Sequence, residues 1–284
     1  MGFTLNSSAD GTILRPTLVP PPSDAHKYSR GHAIVWSGAA LHTGASRLSA
    51  QAALAVGAGL VTIVGERAAL AEHAAHVTAI MLREASPAFD FVGDRVSAFA
   101  IGPGAGAGSQ QAVLKVLGCH VPTVLDADAL TAFEKHPELL FNAVASTDVM
   151  TPHFGEFRRI FPDIKLEDRQ KAVSWAAERA QCVVLLKGAE TCIAAPDSRY
   201  LVNRHASPWL ATAGSGDVLT GLICGLLAQG VPSFDAAAIA TWLHGDIGVR
   251  AGPGLTADSM IGHIPLVLRG CLNDAWGHVS GSRT

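Results

Sequence analysis

A chain of 284 residues with 49% apolar and 16% charged residues holds enough apolar material for one large domain, or two small ones, with an ample core. The net charge of −3 supplies no basic field and argues against a general nucleic-acid role, and no apolar run reaches the roughly 18 residues of a membrane span. Five scattered cysteines without a CxxC pair, behind an N-terminus with no charged-then-apolar signal, predict reduced thiols packed as small hydrophobes in a cytoplasmic protein.

Residues 1–30 are rich in Pro, Ser and Asp and contain Pro20-Pro21-Pro22, which predicts an extended arm laid over the body or a neighbouring subunit. Ala33-Ile34-Val35-Trp36-Ser37 predicts a short buried strand. Gly44-Ala45 opens a small-residue helix, Ala45 to Val56, closed by Gly57-Ala58-Gly59, and Leu60 to Val64 is the next strand. This order is a βαβ unit, so a parallel sheet with a right-handed crossover is expected. The loop from Ser37 to Ala45 then lies at the carboxyl edge of its strand, where open α/β sheets hold ligands. The stretch Ala68 to Val77 carries Glu72, His73 and His76; with no Cys or third His beside them, they read as a solvated helix face rather than a metal site.

Ser97 to Ile101 is a strand running into Gly102-Pro103-Gly104-Ala105-Gly106, with a helix from Gln111 to Leu117 behind it. Pro122-Thr123-Val124-Leu125 runs into Asp126-Ala127-Asp128. Asp128 reads as a helix N-cap, which leaves Asp126 for an active-site role. Asp148-Val149-Met150 leads into Thr151-Pro152-His153-Phe154-Gly155-Glu156, where Pro152 turns the chain and presents His153 and Glu156. Glu167 to Gln181 predicts an amphipathic helix with Ala172, Trp175, Ala176 and Ala180 on one side. Cys182 to Leu186 is a strand that turns through Lys187-Gly188-Ala189-Glu190-Thr191 into Cys192 to Ala195. Lys187 there either lays an ammonium against a phosphate or is an exposed hairpin lysine. Helices are expected over Phe234 to Val249 and Thr256 to Leu272, and residues 277–284 as a frayed tail.

The most informative stretch is Ala211-Thr212-Ala213-Gly214-Ser215-Gly216-Asp217-Val218-Leu219-Thr220-Gly221. The apolar run after it has helical character, so Ser215 or Gly216 falls at a helix start. Free N–H groups and a positive dipole end make such a start an anion site, and the glycines admit a phosphate closely. Asp217 suits no simple phosphate cradle, because its charge repels the anion. It suits a base that takes a proton from a hydroxyl about to receive a phosphoryl group. Alone, the string equally fits a Gly-rich turn with an ordinary first-turn acid. Four further strand ends bearing Gly-, Asp- or His-containing loops along the same sheet edge favour a phosphorylated ligand.

IGPGAG, DADAL, TPHFGEF, VVLLKGAET, ATAGSGDVLTG and AGPGLTADSMI, in this order from about His32 to Leu268, resemble the ADP-dependent NAD(P)H-hydrate dehydratase family, in its stand-alone form. The resemblance implies a ribokinase-like α/β fold over residues 31–276, with a central mostly parallel sheet flanked by helices on both faces. It also implies ADP-dependent repair of the S-form of hydrated NADH and NADPH (NADHX and NADPHX): the ring hydroxyl is phosphorylated and phosphate is then eliminated, giving AMP and phosphate. Asp217 would be the base, with no large pKa shift required. Gly214, Ser215 and Gly216 would form the anion hole. Lys187, Gly188, Ala189, Glu190, Thr191 and Gly216 would hold the adenylate, and Ala45, Gly104 and His153 the hydrate. Mg²⁺ is expected with ADP, or with ATP as donor, held through water by Asp126 and Glu156. A homo-oligomer, with a tetramer as one form, and a functional pairing with a separate NAD(P)H-hydrate epimerase are further implications. His42 stands where the family has Tyr, Ser207-Pro208 where it often has Asn-Pro, and Ala213 where some members have a glycine. A vitamin-precursor kinase of the same fold and a non-catalytic nucleotide-binding paralogue are the competing readings.

Overall fold

In a computed structural model the described residues are 2–86, 95–106 and 108–272. Among them, eleven strands form two sheets, accompanied by ten α-helices. β1 (Gly2–Ser7) and β2 (Ile13–Val19) form an antiparallel pair. The other nine strands form one sheet in the order β11-β10-β9-β8-β7-β6-β3-β4-β5. Strands β3 (His32–Trp36), β4 (Leu60–Gly65), β5 (Met81–Glu84), β6 (Ala98–Ile101), β7 (Thr123–Leu125), β8 (Val149–Met150) and β9 (Val183–Leu186) pair in parallel. In this sheet only β10 (Thr191–Ala194) runs antiparallel, between β9 and β11 (Tyr200–Asn203).

The parallel strands are apolar on both faces because helices cover both. Ala33 and Val35 enter one core cluster while Ile34 enters the other. The same alternation separates Ala98 and Ala100 from Phe99 and Ile101, and Val183 and Leu185 from Val184 and Leu186. Helices α1 (Gly44–Ala55), α8 (Ser215–Ala228), α9 (Ser233–Ala251) and α10 (Ala257–Gly270) fill the first cluster. Helices α3 (Gln110–Leu117), α4 (Asp128–Thr131), α5 (Pro137–Phe141), α6 (Phe154–Ile160) and α7 (Arg169–Ala180) fill the second. Among the described residues, no helix is long and apolar enough to cross a membrane.

The packing of α1 on α8 places the site. A Cβ at Gly221 would collide with the Ser49 carbonyl oxygen and approach Ala52 Cβ to 2.8 Å; one at Gly225 would meet Val56 and Ala53. Glycine at both turns lets the two backbones approach, so the helices begin side by side at the carboxyl edge of the sheet. Ser49 Oγ donates to the Asp217 carbonyl at 2.8 Å and ties the second turn of α1 to the first turn of α8.

Several expectations change in three dimensions. Within the stretch expected as an extended arm, β1 and β2 pair as a hairpin that buries Ile13 and Leu18 against the core. The Gly11 carbonyl accepts from Val202 N–H at 2.9 Å, which fastens the hairpin turn to β11. On α2 (Arg67–Ala74), His73 is not on a solvated face: it is fully buried, and its Nε2 lies 2.8 Å from Ser37 Oγ. Burial pushes its imidazole down to about 4. Trp175 faces solvent, opposite the buried Ala172, Ala176 and Ala180. The short strand β5 and helix α5 carry no sequence signal; each is too short to show a periodicity. The tail expected at 277–284 lies outside the described residues.

Candidate active site

α8 begins as the Gly-Ser-Gly-Asp string requires. Gly214 is its N-cap with φ +88°, a backbone region that a side-chain-bearing residue occupies at a cost of ~1 kcal/mol or more. A Cβ there would also press on Ala257 Cβ at 2.7 Å and Leu48 Cδ1 at 2.8 Å. Ser215, Gly216 and Asp217 form the first turn; the Ser215 N–H donates to the Thr212 carbonyl at 3.3 Å, which leaves the N–H groups of Gly216 and Asp217 at the open helix end.

Asp217 is largely withdrawn from water. Burial raises its pKa to about 6, with the nearby Asp126 carboxylate adding to the rise, the Lys187 ammonium opposing it, and Asp128 contributing a smaller push upward. The reaction expected from the sequence needs no large shift of this acid, but the fold supplies one, and Asp217 is more basic than a solvated aspartate.

Lys187 ends β9 and is drawn inward rather than exposed on its hairpin, with its side chain 20% accessible. Its Nζ lies 2.6 Å from Asp126 Oδ1 and 3.9 Å from Glu156 Oε2. Burial disfavours the ammonium, but the carboxylates of Asp126 and Glu156 outweigh it, and the Lys187 pKa is raised. Lys187 is thus a fixed positive charge. A Cβ on Gly216 would lie 3.5 Å from this Nζ, so the ammonium faces the start of α8.

Asp126 has both oxygens occupied within the chain, since Oδ2 accepts from Thr220 Oγ1 at 2.8 Å. Asp128 is not the expected N-cap. Ala127 holds that position at φ +48°, and Asp128 Oδ2 accepts from Gly106 N–H at 2.8 Å, anchoring the 102–106 loop. His153 caps α6: its Nδ1 accepts from Gly155 N–H at 2.9 Å and from Glu156 N–H at 3.3 Å. Its other nitrogen faces Glu156 Oε1 at 3.3 Å, while Glu156 Oε2 accepts from His153 N–H at 2.8 Å. This reciprocal cap fixes the acid beside Lys187.

A cleft of about 840 Å³ opens at this edge, lined among others by His153, Lys187, Gly188, Ala189, Thr191, Ser215 and Gly216. That volume suits a nucleotide. The opposite wall comes from the 204–214 connection, through Pro208, Leu210 and Thr212. Its shape is set by Asn203, whose Nδ2 donates to the His205 and Thr241 carbonyls, and by a 3.0 Å contact of His205 with Asp246. Glu190 stands at the rim, exposed and paired with Arg204 at 3.1 Å.

Ala45 and Gly104 come together at the start of α1. A Cβ on Gly104 would lie 3.5 Å from Ala45 Cβ and 2.8 Å from the His42 carbonyl oxygen. Glu72 clamps this region, accepting from Leu41 N–H at 2.9 Å and from Thr43 Oγ1 at 3.0 Å. His153 lines the Lys187 cleft rather than the Ala45–Gly104 contact. The structure adds Thr220, Glu72 and His244 to the neighbourhood. Of these, only Thr220 lies inside the Gly-Ser-Gly-Asp stretch that the sequence brings forward for the site.

Among the described residues, no group of three His, Cys, Asp or Glu could hold a metal ion. The remaining arrangement is a nucleotide-sized cleft, a helix start with free N–H groups, a fixed ammonium, a half-buried carboxylate of raised pKa and a second, clamped loop region. It can transfer a phosphoryl group to a hydroxyl.

A family model described as NAD(P)H-hydrate dehydratase matches residues 33–263. The bifunctional NAD(P)H-hydrate repair enzyme Nnr of Synechocystis sp. is 40% identical over 242 residues, 81% of this chain and 46% of the relative. The chain therefore spans about half the length of the curated relatives it matches. An ADP/ATP-dependent NAD(P)H-hydrate dehydratase from Bacillus subtilis, co-crystallized with ATP/Mg²⁺, superposes with a TM-score of 0.76 at 27% identity, covering 90% of this chain and 95% of that one. A ribokinase-like superfamily protein from Enterococcus faecalis gives a TM-score of 0.79 at 25% identity, covering 89% and 92%. The match extends across β3 to α10, including every strand of the nine-stranded sheet and both helices that meet at Asp217, and the chain belongs to the NAD(P)H-hydrate dehydratase family.

Proposed function

We propose that the protein dehydrates hydrated NADH or NADPH back to the reduced cofactor, with ADP as phosphoryl donor and ATP as an alternative. The observation that carries this reading is the position and basicity of Asp217. Its half-buried carboxylate stands in the first turn of α8, close to the Lys187 ammonium and to Asp126, with a pKa near 6.

In this reading Asp217 takes the proton of the ring hydroxyl as its oxygen bonds to the terminal phosphorus. The bond from that phosphorus to the bridging oxygen breaks, and AMP leaves when ADP is the donor. Loss of phosphate from the ring carbon and of a proton from its neighbour restores the double bond. The N–H groups of Gly216 and Asp217 meet the charge developing on the phosphoryl oxygens, and Lys187 neutralises the adjacent phosphate. Gly188, Ala189 and Thr191 line the adenylate's part of the cleft, and Glu190 shapes its rim through Arg204.

Mg²⁺ fits this site in a water-mediated mode. Asp126 and Glu156 are already bonded to Lys187, Thr220 and His153, so they would hold the ion through its waters while the nucleotide phosphates ligate it directly. Bound there, the ion would reduce repulsion among the phosphates. Co-crystallization of the Bacillus subtilis dehydratase with ATP and Mg²⁺ supports this assignment. The dehydration acts on one epimer of the hydrate, so the reading includes pairing with an epimerase activity; the bifunctional character of the curated repair-enzyme relatives supports it.

The test is to incubate the protein with NADH hydrate, Mg²⁺ and either ADP or ATP and follow the reduced-nicotinamide absorbance. Recovery with matching release of phosphate and of AMP or ADP is expected. Nucleotide binding with no recovery, together with phosphorylation of a hydroxymethylpyrimidine or hydroxyethylthiazole, would replace this reading with a vitamin-precursor kinase.

A further inference from the structure

His244 lies in α9, outside every motif the sequence brings forward, yet it touches the start of α8. Its Nε2 is 2.9 Å from the Ser215 carbonyl oxygen and 3.0 Å from Ser215 Oγ. A carbonyl oxygen can only accept. A bare Nε2 at that distance would set two lone pairs against each other, so Nε2 carries the proton and donates to the carbonyl. The same N–H is then shared with Oγ, which it meets as an acceptor. The hydroxyl cannot give its own hydrogen back to this nitrogen, and that hydrogen turns toward the cleft that Ser215 lines. Burial holds the His244 imidazole neutral, down to about 4, with the bond to Ser215 acting against the fall and Lys187 adding to it. The tautomer therefore persists across the neutral pH range.

We infer that His244 is a positioning residue that, through its Nε2–H, aims the Ser215 hydroxyl as a dedicated donor to the transferring phosphate, adding a side-chain donor to the backbone N–H groups of the α8 start. Nothing in the family match assigns His244 this part, and the inference rests on the nucleotide-binding reading of the cleft. A hydroxyl free to rotate would spend part of its time as an acceptor facing the anion. One locked as a donor is preorganised for negative charge.

Two measurements test it. The first needs no ligand: the ¹⁵N shifts of the His244 ring in the wild-type protein, assigned by comparison with His244→Gln. A protonated Nε2 and a bare Nδ1 between pH 6 and 8 are expected; the opposite tautomer overturns the inference. The second is Mg·ADP affinity by titration calorimetry for Ser215→Ala, His244→Leu, their double variant, and His244→Gln, whose amide N–H can replace Nε2–H. Hydrogen bonds to a charged group are worth enough that each single loss should weaken binding about tenfold. The double variant should bind no worse than Ser215→Ala, and His244→Gln should recover most of the affinity. Losses that multiply in the double variant, or a folded His244→Gln as weak as His244→Leu, overturn it. Wild-type protein that binds Mg·ADP but turns over no hydrate would sink the dehydratase reading alone, because the tautomer and the coupling in binding are still measured.

Discussion

Replacing Asp217 with Asn should separate activity from stability in opposite directions. The carboxylate is held near pKa 6, about two units above its ordinary value of 3.8, and each unit corresponds to about 1.4 kcal/mol between the two protonation states. A folded-state pKa above the unfolded one means that this group favours folding below pH ~4 and loses that contribution as pH rises through ~6. At pH 7 to 8 the ionised side chain therefore costs about 3 kcal/mol, which the neutral, isosteric Asn removes. Asp217→Asn should unfold at a higher urea concentration than wild type at pH 8, with the difference shrinking toward pH 4. Turnover of NADH hydrate with Mg·ADP should fall by about 10²- to 10⁴-fold, the usual worth of a general base. The wild-type rate itself should drop about tenfold from pH 7 to pH 5, as a group of pKa near 6 goes from mostly ionised to about one-tenth ionised. A variant that keeps its rate within tenfold of wild type refutes the assignment of Asp217 as base. A variant destabilised at pH 8 refutes the argument that its charge is buried at a cost.

Lys187→Met leaves Asp126, 1% exposed, facing Thr220 without its cation, so a loss of about 3–5 kcal/mol in denaturant stability and a raised nucleotide KM are expected; an unchanged KM removes Lys187 from the nucleotide site. Gly221→Ala drives a methyl into the Ser49 carbonyl and Ala52, which should cost about 1–3 kcal/mol by chemical denaturation and lower kcat by shifting α8 against α1. Equal stability to wild type would show that the two helices are not in the close contact described. Glu72→Gln replaces an acceptor of the Leu41 N–H and the Thr43 hydroxyl with a side chain that can satisfy only part of the pair, at about 1–2 kcal/mol. Steady-state kinetics should then show a raised KM for the hydrate and an unaltered KM for the nucleotide, and a change confined to the nucleotide KM would contradict the assignment of the 37–45 loop to the hydrate side.

Much of the fold was legible because it is written locally. Buried parallel strands such as Val183–Leu186 are short apolar runs, and the glycine and aspartate loops that follow mark the sheet edge on which ligands sit. The α8 start could be read from Gly214 to Asp217 together with the apolar run behind them, since a left-handed cap, small residues and a first-turn acid are properties of adjacent residues. What lies between distant segments was not legible. Thr220 reaches Asp126 across 94 positions and Lys187 reaches it across 61. No spacing rule links them, and only the sheet order that sets β7 near β9 and beneath α8 brings the three together. The same holds for His244, one histidine in an apolar helix until the packing of α9 on α8 puts its ring against Ser215.

The sequence by itself determined where the helix behind Gly214 to Asp217 starts and which loops gather at the sheet edge, because these follow from local backbone preference. Only the tertiary structure decided the charge states and bonding roles. It drew Asp217 partly out of water and raised its pKa, occupied both oxygens of Asp126, turned Asp128 from a cap into a loop anchor, and sealed His73 in the core. Desolvation and Coulomb interaction depend on how far each group lies from water and from other charges, and those distances exist only once the helices have packed on the sheet.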